Sequence, residues 1–203
     1  MSIPTLILDG FLGRPARWER LRRRVEAEVG PATIFRYDST GRTPLPDLAQ
    51  LLLIEARRID PTNTGVNLVG YSMGGIVIRS ARLIDPTRNI RKAVFMNSPH
   101  NGTWIACLIP TPGVQQMRPF DAHMRSLNEN KWDVPTLTVW NNFDGVILPG
   151  KNTRYDACGG QHVKCAVPIH IWPVWSRKIH TEVVAFLQSP AVVEVTETVE
   201  ASR

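Results

Sequence analysis

Only three cysteines occur in the 203 residues, and none forms a CxxC pair. A disulfide framework of the kind that staples small secreted folds is therefore excluded, and at most one intramolecular bridge can form. The one close pairing is Cys158 with Cys165 in YDACGGQHVKCAV. That spacing suits a disulfide and a pair of reduced thiols equally, because geometry rather than spacing decides the matter. His162 lies between them, but no fourth ligand stands at a familiar zinc spacing, so no metal site is expected. Long apolar runs are missing too. None approaches the roughly 20 residues that span a bilayer, so stable membrane insertion is not expected. The chain reaches TLIL directly after MSIP, without a basic stretch and apolar core like those of a secretory signal. A cytoplasmic protein is the expectation. The net charge is +6, yet the densest arginines, in RPARWERLRRRVEAE, alternate with glutamates. This is the pattern of a solvated helix face, and without a recognition motif no nucleic-acid partner is expected. The length suffices to bury a core without staples.

Short β-branched runs alternate with longer segments of helical period, the pattern of a mainly parallel α/β sheet of about six strands with helices on both faces. Strands are predicted at 5–8, 33–37, 66–69, 93–96, 136–140 and 163–167, and helices at 16–29, 45–59, 73–84, around 121–128 and at 176–188. One domain is expected over 1–188, followed by a weakly patterned tail, 189–203. Right-handed crossovers bring the C-terminal ends of parallel strands to one sheet edge, where such folds bind ligands. The segments that matter are those directly after strands: DGFLG, YDSTG, GYSMGG, NSPHNGT, NNFDG and PIHIW.

GYSMG fits G-x-S-x-G, the sharp strand-to-helix turn that exposes a nucleophilic serine. Its position between VNLV and IVIRSA makes Ser72 the candidate nucleophile. A serine hydroxyl needs a base, and the base an orienting carboxylate; with this turn they follow in the order Ser, Asp or Glu, His. Asp144 lies in TLTVWNNFDG after a predicted strand, where the Asp-Gly turn holds its carboxylate at the sheet edge; Asp121, Asp133 and Asp156 are less well placed. Among five histidines, His100 breaks the chain order, and His123 and His162 lie in polar helix or loop sequence. His180 reads as a helix-surface residue, while His170 follows the last predicted strand. His170 is therefore the candidate base. The oxyanion of an acyl-transfer intermediate needs two donors. Met73 N–H, next to the nucleophile, and Phe11 N–H, after the first strand, are the candidates.

These segments together resemble the small α/β-hydrolase lipases and esterases, including minimal bacterial lipases without a large cap. LDGFLGRPARWERL is similar to the first-strand oxyanion segment, GYSMGG to the AHSMGG elbow, and NSPHNGTW to the PHxGT loop. QMRPFDAHMRSLN and NNFDGVILP resemble the stretch leading to the catalytic aspartate and its turn. PIHIWPVWS is similar to GHIGLLYS, whose first histidine is catalytic, which supports His170 independently. The likeness runs from about residue 5 to 187. It departs at Asp9, where the family usually has histidine, and at Pro168, near a usual glycine. It implies an α/β-hydrolase fold without a full cap domain, and a serine carboxylic-ester hydrolase that forms an acyl-enzyme and needs no cofactor. The segment 99–132 is too short for a cap, which favours short to medium acyl chains. IACLIPTPGVQQM is apolar enough to line an acyl site, and Tyr71, Trp104 and Trp172 are candidate substrate contacts on a small-molecule ester. An acyltransferase or thioesterase with the same triad, and a non-catalytic binding protein of this fold, are the competing readings.

Overall fold

The computed structural model describes residues 2–130, 132–156, 160–165 and 167–190. Cys158 and nearly all of the expected tail lie outside these residues. Six parallel strands form one sheet in the order β2-β1-β3-β4-β5-β6. They are β1 (Thr5–Leu8), β2 (Ala32–Phe35), β3 (Val66–Tyr71), β4 (Ile90–Met96), β5 (Thr136–Trp140) and β6 (Gln161–Lys164). The order reverses at β1 and β3, so the chain winds first one way and then the other, and helices cover both faces.

Alternation along the strands assigns the two faces. Leu6, Leu8, Leu68, Ala93 and Phe95 point into one core with α2 (Leu45–Ile59), α3 (Met73–Ile84) and α5 (Ala122–Glu129). Ile7, Val69, Val94, Met96, Leu137 and Val139 point into the other, beneath α1 (Glu19–Glu28) and α7 (Arg177–Gln188). Near-continuous burial along β1, β3 and most of β4 follows from this double coverage. Residues 73–81 of α3 are buried all round, Arg79 included. The Arg79 guanidinium is satisfied by the carbonyls of His100 and Leu127, at 2.9 and 2.7 Å, and by Asn128 Oδ1 at 2.9 Å. It thereby pins α5 and the loop after β4 onto the elbow helix.

Several boundaries differ from expectation for physical reasons. The helix predicted from residue 16 begins as a 3-10 turn, Pro15–Trp18, which buries Trp18 before α1 proper starts. β6 sits earlier than predicted: its four residues are mostly exposed at the sheet edge, and the apolar CAV stretch falls at and beyond its end. The Cys165 thiol there is buried and free. Between β4 and β5, among the described residues, lie only a 3-10 turn (Trp104–Cys107), the short α4 (Pro112–Gln115) and α5, and no cap domain. Val114 and Met117 of the apolar stretch pack into the α2/α3 core, whereas Leu108 is exposed. The last helical pair is α6 (Trp172–Trp175) and α7, the latter capped where Ser176 Oγ accepts the Ile179 N–H at 3.3 Å.

Candidate active site

Ser72 occupies the turn between β3 and α3 with φ +52° and ψ −122°, a conformation rare for a residue with a side chain. Flanking packing holds it there. Ser72 N–H donates to Met96 O at 2.8 Å, tying the turn to β4. A Cβ at Gly74 would stand 2.5 Å from Asp9 O, and one at Gly10 would stand 2.7 Å from Ser72 Cβ. Both positions must be glycine for the loop after β1 to lie against the elbow. In this strained turn the Ser72 side chain leaves the sheet edge and points towards the loop after β6.

His170 closes the gap. Its Nε2 lies 2.9 Å from Ser72 Oγ, and its Nδ1 lies 2.7 Å from either Asp144 carboxylate oxygen. A carboxylate only accepts, so Nδ1 carries the proton and Nε2 of the neutral ring is left to accept from the serine hydroxyl. The Asp144 side chain is fully buried, and Oδ1 also accepts the N–H groups of Ile147 and Val146, at 2.7 and 3.2 Å. The turn after β5 therefore fixes the carboxylate from two sides. Asn97, directly after β4, donates Nδ2 to His170 O at 2.7 Å, and Asn141 after β5 donates to Val167 O at 2.8 Å. These two amides anchor the histidine loop to the sheet. Thr103 Oγ1 accepts Leu148 N–H at 2.9 Å and donates to Val146 O at 3.1 Å, bracing the aspartate loop against the loop after β4.

Three further strand-end segments meet this trio. Met73 is the first residue of α3, so its N–H has no partner within the helix. Phe11 follows β1 in the loop that Gly10 presses onto Ser72. Among the described residues neither N–H has a hydrogen-bond partner. The loop is held by Asp9, whose buried carboxylate accepts Gly10 N–H at 2.7 Å and Arg17 Nε at 2.7 Å. The Tyr37 hydroxyl donates to Asp9 O from the far side. At the position where the sequence departs from the pattern it resembles, this chain thus has a half-buried ion pair across the loop.

Around these residues opens a cleft of about 530 Å³, lined by Phe11, Arg17, Tyr71, Val146, Ile169 and Ile171 together with Ser72, His170 and Asp144. Tyr71 stacks obliquely on His170, ring centroids 5.1 Å apart, and burial pushes its phenol pKa well up. Trp104 and Trp172 are not among the lining residues. Trp104 is half-exposed against Phe120, and Trp172 packs on the core beneath α7.

The structure has the α/β-hydrolase fold. The mature lipase BlEst2 of Bacillus licheniformis superposes with a TM-score of 0.69 at 15% identity, over 90% of this chain and 92% of that one. A monoacylglycerol lipase of Paleococcus ferrophilus gives 0.69 at 16% identity, over 91% and 93%. A protein of Mycobacterium tuberculosis described as a non-heme bromoperoxidase gives 0.71 at 13%, over 93% and 94%. No family model matches the chain, and no curated protein matches it in sequence. On this fold, Ser72 stands in the turn between β3 and α3, Asp144 after β5 and His170 after β6.

The other histidines lie apart from the cleft. His180 is not the surface residue expected. It is completely buried beneath α6, its Nε2 donating to Pro173 O at 3.1 Å, and burial lowers its pKa. His100 is also fully buried, stacked on Tyr155 at 4.4 Å, with both ring nitrogens unpartnered among the described residues and its pKa pushed well down by desolvation. His123 meets Ser80 Oγ at 2.8 Å, and His162 lies on β6. Arg17 and Asn97 escaped the sequence reading. Arg17 had been grouped with a solvated helix face, although a buried aspartate at a strand end calls for a nearby cation. Asn97 had a plainer signal, as a polar side chain directly after a buried strand.

Proposed function

We propose that the protein is a serine hydrolase of carboxylic esters. The observation that carries this reading is the continuous hydrogen-bonded line from Ser72 Oγ through His170 to buried Asp144, opening into a cleft beside two unpartnered N–H groups. Ser72 Oγ attacks the ester carbonyl while His170 Nε2 takes its proton, and Asp144 holds the imidazole in the competent tautomer. The carbonyl oxygen gains charge as the tetrahedral intermediate forms, and Met73 and Phe11 N–H groups donate to it; one such donor contributes about 10²- to 10³-fold in rate. Collapse expels the alcohol, protonated by His170, and leaves an ester on Ser72. Water, deprotonated by the same imidazole, then releases the acid and regenerates the serine. The chemistry requires no metal or organic cofactor.

The cleft's volume and the absence of a cap among the described residues favour short to medium acyl chains in an open site. Lipases among the structural neighbours support ester substrates of this kind. The test is hydrolysis of p-nitrophenyl esters of graded acyl length, with fluorophosphonate labelling. Wild-type protein should hydrolyse and label, and Ser72→Ala should do neither while remaining folded. Full activity in Ser72→Ala would overturn the mechanism.

A further inference from the structure

Arg17 stands out among the cleft residues because its charge is only partly committed. Nε donates to Asp9 Oδ2 at 2.7 Å, but among the described residues the two terminal nitrogens have no partner. The side chain keeps 20% of its surface exposed, and it lines the cleft with Ser72 and His170. The other charged side chain on the cleft wall, Asp144, is fully engaged with His170 and two backbone N–H groups. Asp9 has both oxygens occupied and is 2% exposed. A half-buried guanidinium with free terminal donors, held rigid through Nε, presents the fork that grips a carboxylate or phosphate.

The position sets the reach. The guanidinium carbon lies 5.9 Å from the Tyr71 ring centroid, and that ring lies 5.1 Å from the His170 ring. The guanidinium and the imidazole thus both flank Tyr71, no more than 11 Å apart. The remaining wall, Phe11, Val146, Ile169 and Ile171, is apolar and suits the uncharged part of the molecule. We propose that Arg17 is a specificity residue that selects esters bearing a second, ionised group, a carboxylate or phosphate a few bonds from the scissile carbonyl. The proposal rests on the ester-hydrolase reading above and names the substrate class for that site.

Two matched pairs of esters test it, each comparing kcat/KM for an anionic and a neutral member. p-Nitrophenyl hemiglutarate against p-nitrophenyl valerate places the charge on the acyl side. p-Butyryloxybenzoate against p-tolyl butyrate places it on the alcohol side. Comparing each ratio between wild type and variants cancels differences in leaving group. Wild type should favour the anionic member of one pair by roughly ten- to hundredfold, the worth of a hydrogen bond to a charged group. Added salt should shrink that preference, because the cleft is open to solvent. Arg17→Gln should abolish it and Arg17→Lys should retain part. Since Arg17→Gln strands the buried Asp9 charge, the double variant Asp9→Asn/Arg17→Gln provides a neutral pair of similar shape, in which the preference should also be lost. Equal or better use of the neutral member in both pairs, or an anion preference that survives the double variant, overturns the proposal while leaving the hydrolase reading intact. Failure of every ester, with no fluorophosphonate labelling of Ser72, would instead remove the reading on which it rests.

Discussion

Replacing Asp144 by asparagine separates orientation of the imidazole from integrity of the fold. The aspartate's two jobs use different chemistry. Its Oδ1 accepts the N–H groups of Ile147 and Val146, which an asparagine oxygen can continue to do. Its Oδ2 accepts from His170 Nδ1 at 2.7 Å, and with the remaining oxygen kept at Oδ1 by the two backbone N–H groups, that place falls to the amide NH₂, which can only donate. The imidazole must present a bare Nδ1 to that donor, so the proton moves to Nε2 and points at Ser72 Oγ. With no acceptor facing the hydroxyl, the base is lost although every heavy atom stays in place. The expected loss in kcat is about 10⁴-fold, or about 5.5 kcal/mol of barrier at ~1.4 kcal/mol per tenfold. Stability should hardly change, whereas Asp144→Ala should also cost about 1–3 kcal/mol by leaving two N–H groups without their acceptor. Steady-state hydrolysis of p-nitrophenyl butyrate, the rate of fluorophosphonate labelling and thermal melting resolve the two effects. An Asp144→Asn protein within tenfold of wild-type activity would refute the tautomer argument. One that lost activity only by unfolding would refute it as well.

Two stability predictions concern groups outside the cleft. The Lys92 ammonium on β4 is buried and donates to the carbonyls of Phe186, at 2.7 Å, Leu187, at 3.0 Å, and Ser189, closing the end of α7. Lys92→Met should lower stability by about 2–4 kcal/mol in chemical denaturation, since several charge-assisted bonds go at once; an unchanged midpoint would show that α7 ends without that help. Buried His100 has a lowered folded-state pKa, so the unfolded chain binds a proton near its ordinary value of about 6.5 that the folded chain refuses. Stability is fully present above that pH and falls as pH drops below it, by up to about 1.4 kcal/mol per pH unit. His100→Phe keeps a ring against Tyr155 and removes both unpartnered nitrogens, so it should flatten the acid limb of a stability-against-pH curve; an identical slope would assign that limb to other groups.

Legibility in the sequence followed how local each determinant is. The strand-to-helix turn at Ser72 is spelled by its immediate neighbours, and Asp144 and His170, which the structure brings together with Ser72, stood out in the sequence because each lies in a loop after a predicted strand, in the order the turn demands. The two tryptophans failed as cleft residues for the opposite reason. Trp104 and Trp172 lie on short helical turns whose direction is set by contacts with Phe120 and the core under α7, partners remote in sequence. His180 looked like a surface residue because helical period alone describes α7. The structure adds α6, whose Pro173 carbonyl covers and accepts from that ring. β6 was displaced because three of its four residues are polar, which left the apolar run that follows as the stronger strand signal.

The departure at Asp9 links a local oddity to the cleft. An aspartate buried at the end of β1 cannot keep its charge without a partner, and the 3-10 turn Pro15–Trp18 carries Arg17 back to supply it. That turn is where α1 departs from the plain amphipathic helix expected, and the same departure removes Arg17 from the solvated face and puts it on the cleft wall. A histidine at position 9 would call for no such cation. The residue at which this chain leaves the pattern it resembles is therefore coupled, through eight residues of backbone, to the one cleft-wall side chain among those described with cationic donors still unspent. On the proposed reading, residues shared with the pattern attack the ester, and the pair that breaks it selects which ester is held.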